Sequence, residues 1–458
     1  MSAVLTFAGA AQGVTGSCYH LQVGDAAIVI DCGVFQGDQD AEAKNLAPFP
    51  FAAKGVNAVV LTHGHLDHVG RLPMMFRQGF AGPVIGHAAS LDIAMLILED
   101  SAKIANFSER EPLFDQDDLK LVRAALEPLQ RYGETVTVGP FDITIYDAGH
   151  ILGSSSVRVA WGSGADRRAI MFSGDLGMID RPLIGDPNTK WDTGRDGIDY
   201  VVTESTYGNR EHPSRSEVRK QFREVIARAL SDGGKVLIPA FSIGRTQEII
   251  FELNHLVHEG ELAHIPVVLD GPLGISVTAL YEKYVDCYDA EALKLINEGD
   301  PPLEFDTLSI THDAADSRDV AKQKGAAIII AGSGMLQGGR IRNHLKEHLG
   351  DPRTDVLLVG FQASRTTGRS LQQGAKHVWI GGTHVPVRAR ITTIDGFSAH
   401  ADRNVLLGWF DKLPRQGLRR AFVTHGEEES SKAYAQLLTD RFGVVASVPA
   451  LGDAIELA

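Results

Sequence analysis

The sequence predicts an α/β (α+β) protein in which a βαβ module interrupts a domain of short strands and loops. The first two hundred residues alternate short apolar runs with glycine-rich turns, a pattern typical of strands joined by tight turns. After Tyr207, longer helical segments alternate with apolar strands, which indicates a mostly parallel sheet. Near Pro386 the short strands return, so we expect the module to lie between two parts of one domain.

Each element is predicted from an apolar run or from helical periodicity bounded by turn residues. In the first part, the predicted strands are residues 4–7, 27–30, 58–61, 143–146 and 170–172, and the helices are 90–104 and 117–126. The module has predicted strands at 235–239, 265–269, 326–330 and 355–359, with helices at 214–230 and 245–258. The last part has predicted strands at 389–393 and 421–424.

Composition limits the class of protein. The chain has 458 residues, of which 44% are hydrophobic and 22% are charged, so we expect two or three folded domains. Three cysteines are too few for a disulfide framework. No apolar run is long enough for a membrane helix, and the N-terminus lacks a basic leader segment. These features together favour a cytoplasmic protein.

Charge is distributed unevenly along the chain. The net charge is −14, which by itself disfavours a nucleic-acid partner. Residues 320–394, however, contain eleven Lys/Arg and three acidic residues, a local charge of +8. Charge alone leaves two interpretations open, an ordinary solvated surface and a region that binds a polyanion.

The strongest motif is Leu61-Thr62-His63-Gly64-His65-Leu66-Asp67-His68, where a predicted strand runs into four candidate metal ligands. His63 and His65 are two residues apart, so on an extended strand end both rings point the same way. Asp67 and His68 follow where the chain turns toward a helix. Imidazole and carboxylate ligands suit Zn²⁺, and two such sets suit two ions.

Other predicted strand ends carry a single candidate ligand each. These residues are Asp31, His150, Asp175 and His425. Alone, each is a weak signal, since a lone His or Asp after a strand is more often a capping or turn residue. Together they predict a site at one edge of a sheet, with Asp175 as a candidate bridge between two metals.

In this order, the ligands resemble those of the metallo-β-lactamase fold, an αββα sandwich with a dinuclear zinc site. Later motifs resemble its β-CASP branch of nucleases, at residues 203–208, 395–402 and 424–427, with further matches at 13–18 and 331–335. The resemblance covers essentially the whole chain. It implies a metallo-β-lactamase domain made of residues 1–208 and 386–458, with a β-CASP domain inserted at residues 209–385.

The resemblance also implies two Zn²⁺ ions, with Mn²⁺ as the alternative. The implied ligands of one ion are His63, His65 and His150, those of the other are Asp67, His68 and His425, and Asp175 is shared. Asp31 matches an outer acid that orients a ligand loop without binding metal.

The implied activity is hydrolysis of phosphodiester bonds in single-stranded RNA, in endonucleolytic or 5′-exonucleolytic mode. A hydroxide activated by both ions would attack phosphorus. His400 is the candidate for the acid that protonates the departing ribose oxygen, and Glu204 is expected to place it. The residues expected to act in catalysis are therefore Asp31, Asp67, Glu204 and His400.

Substrate contacts are expected in the basic stretch. His425 occupies the third β-CASP motif, where His is typical of members that act on RNA and Val of those that act on DNA. The expected phosphate contacts are Ser333, Gly334, Arg340, Arg365 and Arg369. A tight turn explains the glycines beside Ser333 equally well. The loop at 362–369 departs from the family pattern because it lacks an acidic-Gly-Thr sequence.

Alternative functions are a DNA nuclease, a small-ester hydrolase of the same fold, or a non-catalytic subunit of an RNA-processing complex. The insertion and His400 argue against a small substrate, and the complete set of implied ligands argues against a non-catalytic role. The sequence starts directly with the hydrolase domain, without the KH modules of archaeal relatives or the C-terminal domain of RNase J. We therefore expect the compact bacterial type, similar to the catalytic core of the cleavage-and-polyadenylation endonuclease, as a homodimer.

Overall fold

The computed structural model describes residues 2–37, 40–106, 112–191, 197–262, 264–360, 362–363, 365–415 and 417–457. The chain divides into two compact units. The first unit comprises Met1–Ile179, Gly185–Glu211 and His400–Ala458, and the second comprises Asp180–Ile184 and His212–Ala399. Most of the second unit is therefore inserted between parts of the first along the chain.

Two seven-stranded sheets form the frame of the first unit. The first sheet contains β1 (Ala3–Phe7), β2 (Tyr19–Val23), β3 (Ala26–Ile30), β4 (Ala58–Val60), β5 (Val84–His87), β6 (Leu126–Leu129) and β22 (Ala454–Leu457), in the order β22-β1-β2-β3-β4-β5-β6. The second sheet contains β7 (Thr135–Val138), β8 (Phe141–Asp147), β9 (Ser155–Trp161), β10 (Arg168–Phe172), β11 (Tyr200–Thr203), β20 (Arg420–Val423) and β21 (Ala446–Ser447), in the order β21-β20-β11-β10-β9-β8-β7.

The second unit is built on a six-stranded parallel sheet and a separate hairpin. The parallel sheet contains β12 (Lys235–Pro239), β13 (Val267–Asp270), β14 (Leu308–Ile310), β15 (Ala327–Ala331), β16 (Asp355–Leu358) and β19 (Arg390–Thr393), in the order β14-β13-β15-β12-β16-β19. The antiparallel hairpin pairs β17 (His377–Ile380) with β18 (Thr383–Pro386). β12 and β15 are buried along their whole length, as expected for central strands of a parallel sheet.

Helices complete both units. In chain order they are α1 (Ala41–Leu46), α2 (Leu66–Val69), α3 (Leu72–Arg77), α4 (Ala88–Asn106), α5 (Gln116–Ala124), α6 (Arg215–Ser231), α7 (Arg245–His258), α8 (Pro272–Lys283), α9 (Ala290–Asn297), α10 (Ala314–Lys322), α11 (Ile341–His348), α12 (Thr367–Gln372), α13 (Arg403–Lys412) and α14 (Glu428–Phe442). Among the described residues, none of these helices is both long enough and apolar enough to cross a membrane.

The core of the first unit lies between its two sheets. Ile30 and Val60 from the first sheet meet Phe172 and Val202 from the second in one buried cluster. Val59, the neighbour of Val60, belongs to a different cluster because successive side chains of a strand point to opposite faces.

The outer faces of the two sheets are covered by helices. On the first sheet, Val59 packs with Leu72 of α3 and Leu98 of α4. On the second sheet, Trp409 of α13 packs in a cluster with Tyr434 of α14. The first unit is thus an αββα sandwich, and the predicted fold class is confirmed.

The boundaries between the units differ from the expected domain limits of 208/209 and 385/386. The structure changes unit at 211/212 and at 399/400, and it also assigns Asp180–Ile184 to the second unit. The larger difference arises because β19 pairs in parallel with β16 and extends the sheet of the second unit. Arg390 strengthens this pairing through an ion pair with buried Asp355 at 2.5 Å.

One predicted helix is shorter in the structure. The helix expected at 117–126 ends at Ala124, and Leu126 already begins β6. Its start is set by Asp115, whose side chain forms a capping box with Asp118. Pairing of β6 with β5 takes the last residues of the predicted helix into the sheet.

Candidate metal centre

The predicted ligands lie just beyond the ends of strands in the first unit. β4 ends at Val60, and His63, His65, Asp67 and His68 follow within eight residues. The other strand ends carry one functional residue each, namely Asp31 after β3, His150 after β8, Asp175 after β10, Glu204 after β11 and His425 after β20. Because β3 and β4 are parallel, and β10, β11 and β20 are parallel, the carboxyl ends within each sheet meet at one edge.

One group of donor atoms joins His63, His65, His150 and Asp175, whose ligand atoms all lie within 4.8 Å of one another. His65 Nδ1 is 3.0 Å from His63 Nε2 and 3.3 Å from His150 Nε2. Asp175 Oδ2 is 3.6 Å from His63 Nε2 and 3.7 Å from His150 Nε2. Three imidazole nitrogens and one carboxylate oxygen therefore face one another.

A second group joins Asp67, His68 and His425. His425 Nε2 lies 3.3 Å from His68 Nε2 and 3.6 Å from Asp67 Oδ2. Asp175 reaches this group as well, because its Oδ2 is 3.3 Å from His68 Nε2 and its Oδ1 is 3.5 Å from His425 Nδ1. Burial alone would lower the pKa of His68, but the carboxylates of Asp175 and Asp31 outweigh it and raise that pKa.

The spacing of the donor atoms fits a metal ion. Zinc bonds nitrogen at about 2.0–2.1 Å, so two ligands of a tetrahedral ion are about 3.3 Å apart. The separations of 3.0 and 3.3 Å among the imidazole nitrogens of the first group are close to this value.

The protonation states of the donors in the first group also fit a metal ion. Burial lowers the pKa of His63, His65 and His150, that of His65 to about 4, so these imidazoles are neutral ligands. Burial opposes ionisation of Asp175, but His425 and His68 outweigh it and hold the pKa of its carboxyl well below its usual range. The donor set is therefore that of a metal centre.

Asp31 holds the loop that carries the ligands. Its Oδ2 lies 2.7 Å from His68 Nδ1 and accepts the Thr62 hydroxyl at 2.8 Å, and its Oδ1 accepts the Thr62 N–H at 2.8 Å. Gly33 lies against the same loop, since an added Cβ would be 1.6 Å from the carbonyl oxygen of Asp67. With Nδ1 bound to Asp31, His68 presents Nε2 to the second group.

Asp31→Asn is expected to weaken metal binding about 10- to 100-fold, because the amide lacks the charge and one of the acceptor oxygens that orient His68 and Thr62. Competition with a chromogenic chelator measures the affinity. Asp25→Asn is the matched control, since Asp25 is exposed in the turn at the other end of β3. Equal metal affinities of the two variants would contradict the orienting role of Asp31.

Glu204 and His400 form a pair beside the first group. Buried Glu204 accepts the Leu176 N–H on Oε1 at 2.6 Å, and the same oxygen is 3.4 Å from His400 Nδ1. His400 Nδ1 is also 3.8 Å from Asp175 Oδ2, and its ring is 4.5 Å from that of His150. Burial alone would lower the pKa of His400, but the carboxylates of Glu204 and Asp175 outweigh it and raise that pKa to about 9. The two carboxylates therefore favour the protonated imidazole.

Backbone contacts set the position of His400. It forms a short antiparallel bridge with Gly177, and the N–H of Ala401 donates to the carbonyl of Leu176 at 2.7 Å. Asp402 then caps the N-terminus of α13 with its side chain. The motif at 395–402 therefore combines a titratable imidazole with the start of a helix.

Two threonines contact the ligands and were missed by the sequence reasoning. The Thr62 hydroxyl donates to Asp31 and lies 3.1 Å from His63 Nδ1. Thr206 Oγ1 lies 3.2 Å from His425 Nδ1 and donates to the His425 carbonyl at 3.1 Å. Both threonines lie inside motifs that were recognised, at 61–68 and 203–208, and this position could have indicated that they contact the ligands.

Arg181 was also missed, and it supports the loop that precedes His400. Within the second unit, its guanidinium donates to the carbonyl of Ser398 and to the carboxylate of Glu248. Glu248 is held in turn by Arg245 at 2.9 Å. Nothing near Arg181 in the sequence marks this role, because its partners are 67 and 217 residues away.

The predicted substrate contacts lie in the second unit. Arg365 and Arg369 are exposed, and Arg369 contacts the side chain of Gln372 at 2.8 Å. Ser333 Oγ accepts the Gly338 N–H at 3.2 Å, which is the geometry of a tight turn. The carbonyl of Gly334 accepts a hydrogen bond from Gln362 at 3.0 Å.

Arg340 differs from the other predicted contacts because it is engaged inside the second unit. Its Nη1 donates to Asp270 at 2.8 Å and to Thr311 at 2.7 Å. Asp270 is fully buried and also binds His344 Nε2 and the Ser317 hydroxyl, both at 2.6 Å. The Nη1 atom of Arg340 thus belongs to a buried polar cluster, and a phosphate contact through the rest of the guanidinium stays a prediction.

Family models match along the chain. Residues 11–237 match the metallo-beta-lactamase superfamily, residues 246–371 match the Beta-Casp domain, and residues 384–449 match the Zn-dependent metallo-hydrolase RNA specificity domain. The matches run in the same order as the parts predicted from the sequence.

Similar proteins cover the whole chain. A protein named Ribonuclease TTHA0252 from Thermus thermophilus is 38% identical over 447 residues, which is 98% of each chain. The transcription termination factor FttA of Methanocaldococcus jannaschii is 30% identical over 462 residues, 99% of this chain and 71% of that protein. The crystal structure of a protein of unknown function from Enterococcus faecalis V583 shares the fold, with a TM-score of 0.59, 14% identity and complete coverage of both chains.

Proposed function

The chain belongs to the β-CASP branch of the metallo-β-lactamase superfamily and is a metal-dependent hydrolase, and on this premise we propose that it is a ribonuclease that cleaves single-stranded RNA. The observation that carries the proposal is the convergence of seven His and Asp side chains in two groups that meet at Asp175. The match of residues 384–449 to an RNA specificity domain and a relative named as a ribonuclease support RNA as the substrate.

We propose that the centre holds two zinc ions. His63, His65 and His150 would hold the first, Asp67, His68 and His425 would hold the second, and Asp175, which lies near both groups, would be shared. Bound ions supply Lewis acids that lower the pKa of water and neutralise charge on the phosphate. Neutral imidazoles with carboxylates favour zinc, and Mn²⁺ is the alternative.

In the proposed reaction, His400 is the general acid. Hydrolysis forms a bond from a water oxygen to phosphorus, with loss of a water proton to solvent. It breaks the bond from phosphorus to a ribose oxygen, which takes up a proton from His400. His400 Nδ1 faces Glu204, so Nε2 is the atom that would donate this proton. Glu204 acts through His400 as a positioning residue, and Asp31 acts in the same way through His68.

Cleavage of 5′-labelled single-stranded RNA and of the matched DNA by the zinc-loaded protein tests the function. We expect RNA to be cut, activity to be lost with a chelator and to return with Zn²⁺, and DNA to be spared. The product ladder separates internal cuts from stepwise removal at the 5′ end. His400→Ala, run in parallel, excludes a contaminating nuclease.

The other outcomes of this assay each favour an alternative. Cleavage of DNA alone would show that the inference from His425 is wrong. Cleavage of neither polymer despite bound metal would favour a small-ester hydrolase or a non-catalytic RNA-processing subunit.

Replacing Arg365 and Arg369 together by alanine is expected to weaken RNA binding and to flatten its salt dependence, because both exposed cations are proposed to contact phosphates. Titrations at several salt concentrations measure the slope. Arg318→Ala with Lys322→Ala removes the same charge from exposed positions on α10 and serves as the control. An unaltered slope in the Arg365 and Arg369 variant would mean that RNA binds elsewhere.

Two further expectations stay predictions. We propose a homodimer, which sedimentation velocity tests, and a cytoplasmic location. The described cysteines Cys18, Cys32 and Cys287 are all buried and form no disulfide with one another, in keeping with a reducing compartment.

A further inference from the structure

The hairpin of β17 and β18 has two chemically different faces. Val378, Ile380 and Val385 point into the core of the second unit and are 5%, 2% and 4% exposed. On the outer face, Trp379 is 68% exposed and pairs across the hairpin with exposed His384. Trp379 is the most exposed of the large hydrophobic side chains among the described residues. A single exposed apolar side chain is ordinary, so its neighbours decide what this face can bind.

The rings of the outer face form one cluster. His377 and His384 are stacked at 4.8 Å with an interplanar angle of 8°, and the ring of Trp379 is 5.1 Å from that of His384 and tilted by 53°. The antiparallel register places all three on the same side of the hairpin. Unpaired nucleobases stack on exposed aromatic rings, and the ring of Trp379 is the one most open to a base.

The three rings of His377, Trp379 and His384 form an aromatic platform, and cations lie at both of its ends. At the turn, a Cβ on Gly381 would be 2.9 Å from Lys346 Nζ and 3.0 Å from Arg342 Nη2, so both side chains of α11 reach the turn. At the open end, Lys376 and Arg388 flank the two strands and are exposed. No aspartate or glutamate occurs in residues 356–394. The platform is therefore bordered by positive charge on a stretch of chain without acidic side chains.

We propose that the outer face of this hairpin is a second binding site for single-stranded RNA. A base stacks on Trp379 beside the imidazole pair, and phosphates pair with Arg342 and Lys346. The choice of RNA rests on the proposed ribonuclease function, but the site contains none of the metal ligands. Because stacking does not read the edges of the bases, binding at this face tolerates any sequence.

The competing occupant is a second copy of the chain. In a two-fold dimer through this face, the same patch occurs on both subunits. The cations around one hairpin would then face the same cations of the partner, and like charges across an interface are unfavourable. A polyanion neutralises these cations instead, so charge favours RNA.

Quenching of Trp379 fluorescence tests the proposal. Trp161 and Trp409 are 1% exposed, and Trp191 packs against Trp409 and Tyr146, so Trp379 is the tryptophan most open to solvent. The zinc-loaded protein is mixed with oligouridylate or oligoadenylate in a stopped-flow instrument, and the signal is read before cleavage. We expect quenching that saturates at the RNA concentration at which the anisotropy of a labelled strand saturates.

Substitutions separate stacking from charge. Trp379→Ala is expected to weaken RNA binding about 10-fold, whereas Trp379→Phe keeps a ring and stays within about 3-fold of the unaltered protein. Arg342→Ala with Lys346→Ala should flatten the slope of log affinity against log salt by about 1.4, since each neutralised phosphate on a single strand contributes about 0.7. As a control for charge, Lys220→Ala with Lys294→Ala removes the same charge from exposed positions on α6 and α9.

Hydrolysis of a small chromogenic phosphodiester should be equal in Trp379→Ala and the unaltered protein, because it needs only the metal centre. Equal RNA affinity of these two proteins, or no quenching, would overturn the proposal. The proposal would also be overturned if Trp379→Ala changed the sedimentation coefficient and left RNA affinity unchanged. That result would assign the face to a second copy of the chain. If the protein binds RNA through Trp379 but cuts no RNA, the proposed ribonuclease function is wrong and the proposed binding site is still supported.

Discussion

Asp175→Ala is expected to lose bound metal and activity together, with RNA cleavage falling by at least about 10³-fold. The Asp175 carboxylate approaches both groups of donors, with Oδ2 at 3.6 Å from His63 Nε2 and 3.3 Å from His68 Nε2. Its Oδ1 is 3.5 Å from His425 Nδ1. Alanine at this position would deprive both ions of an anionic ligand at once, so neither donor group stays complete.

Zinc content after gel filtration and cleavage of labelled RNA measure the two losses. Asp199→Ala is the matched control, because Asp199 lies before β11 in the same sheet and accepts the Ala169 N–H at 2.8 Å, outside the donor groups. Full metal content or normal turnover in Asp175→Ala would rule out a shared ligand. Loss of both in Asp199→Ala as well would point to general unfolding instead.

His400→Ala is expected to keep its metal and to slow RNA cleavage about 10²- to 10⁴-fold, the range that a positioned general acid contributes. Its imidazole is held beside Glu204 and Asp175, which favour the protonated form. An acid must carry its proton to act, so activity is present below its pKa and is lost as pH rises through it. The pH–rate profile of the unaltered protein should therefore fall on the alkaline side, and His400→Ala should lack that fall.

The matched control is His258→Ala, which removes a histidine 2.8 Å from the carboxylate of Asp300 in the second unit. It should cleave RNA at the normal rate. Asp175, His400 and His425 also form a convergent group of donors, so metal content decides between two roles for His400. Loss of metal in His400→Ala would make His400 a ligand, and unchanged cleavage would remove it from the reaction.

Much of the candidate centre could be predicted from the sequence because its residues follow strands. The motif at 61–68 places four donors in a short segment after β4, and strand ends are visible as the limits of apolar runs. His150, Asp175 and His425 carry the same local signal at the ends of other strands. A candidate ligand after a strand can be recognised from neighbouring residues alone, so this prediction does not require knowledge of the tertiary fold.

Other features could not be predicted because they depend on partners far away in the chain. Arg340 lies in the basic stretch, and in the structure its Nη1 donates to buried Asp270, 70 residues away, a contact that the sequence does not indicate. The strand at 390–393 resembles part of the hydrolase domain, but its hydrogen bonds go to β16. The partner of a side chain or strand depends on which groups the tertiary fold brings close to it. The sequence pattern does not show these distances.

The sequence by itself determined which donor atoms are available and that each follows a strand, because alternation and strand ends are set by neighbouring residues. Only the tertiary structure decided which donors meet. His68 and His425 are 357 residues apart and approach to 3.3 Å because their strands belong to two sheets that share one buried core. The same packing lets Asp175 reach both groups. In the second unit, a separate core buries Val378 and Ile380 and leaves Trp379 in solvent on the outer face of the hairpin.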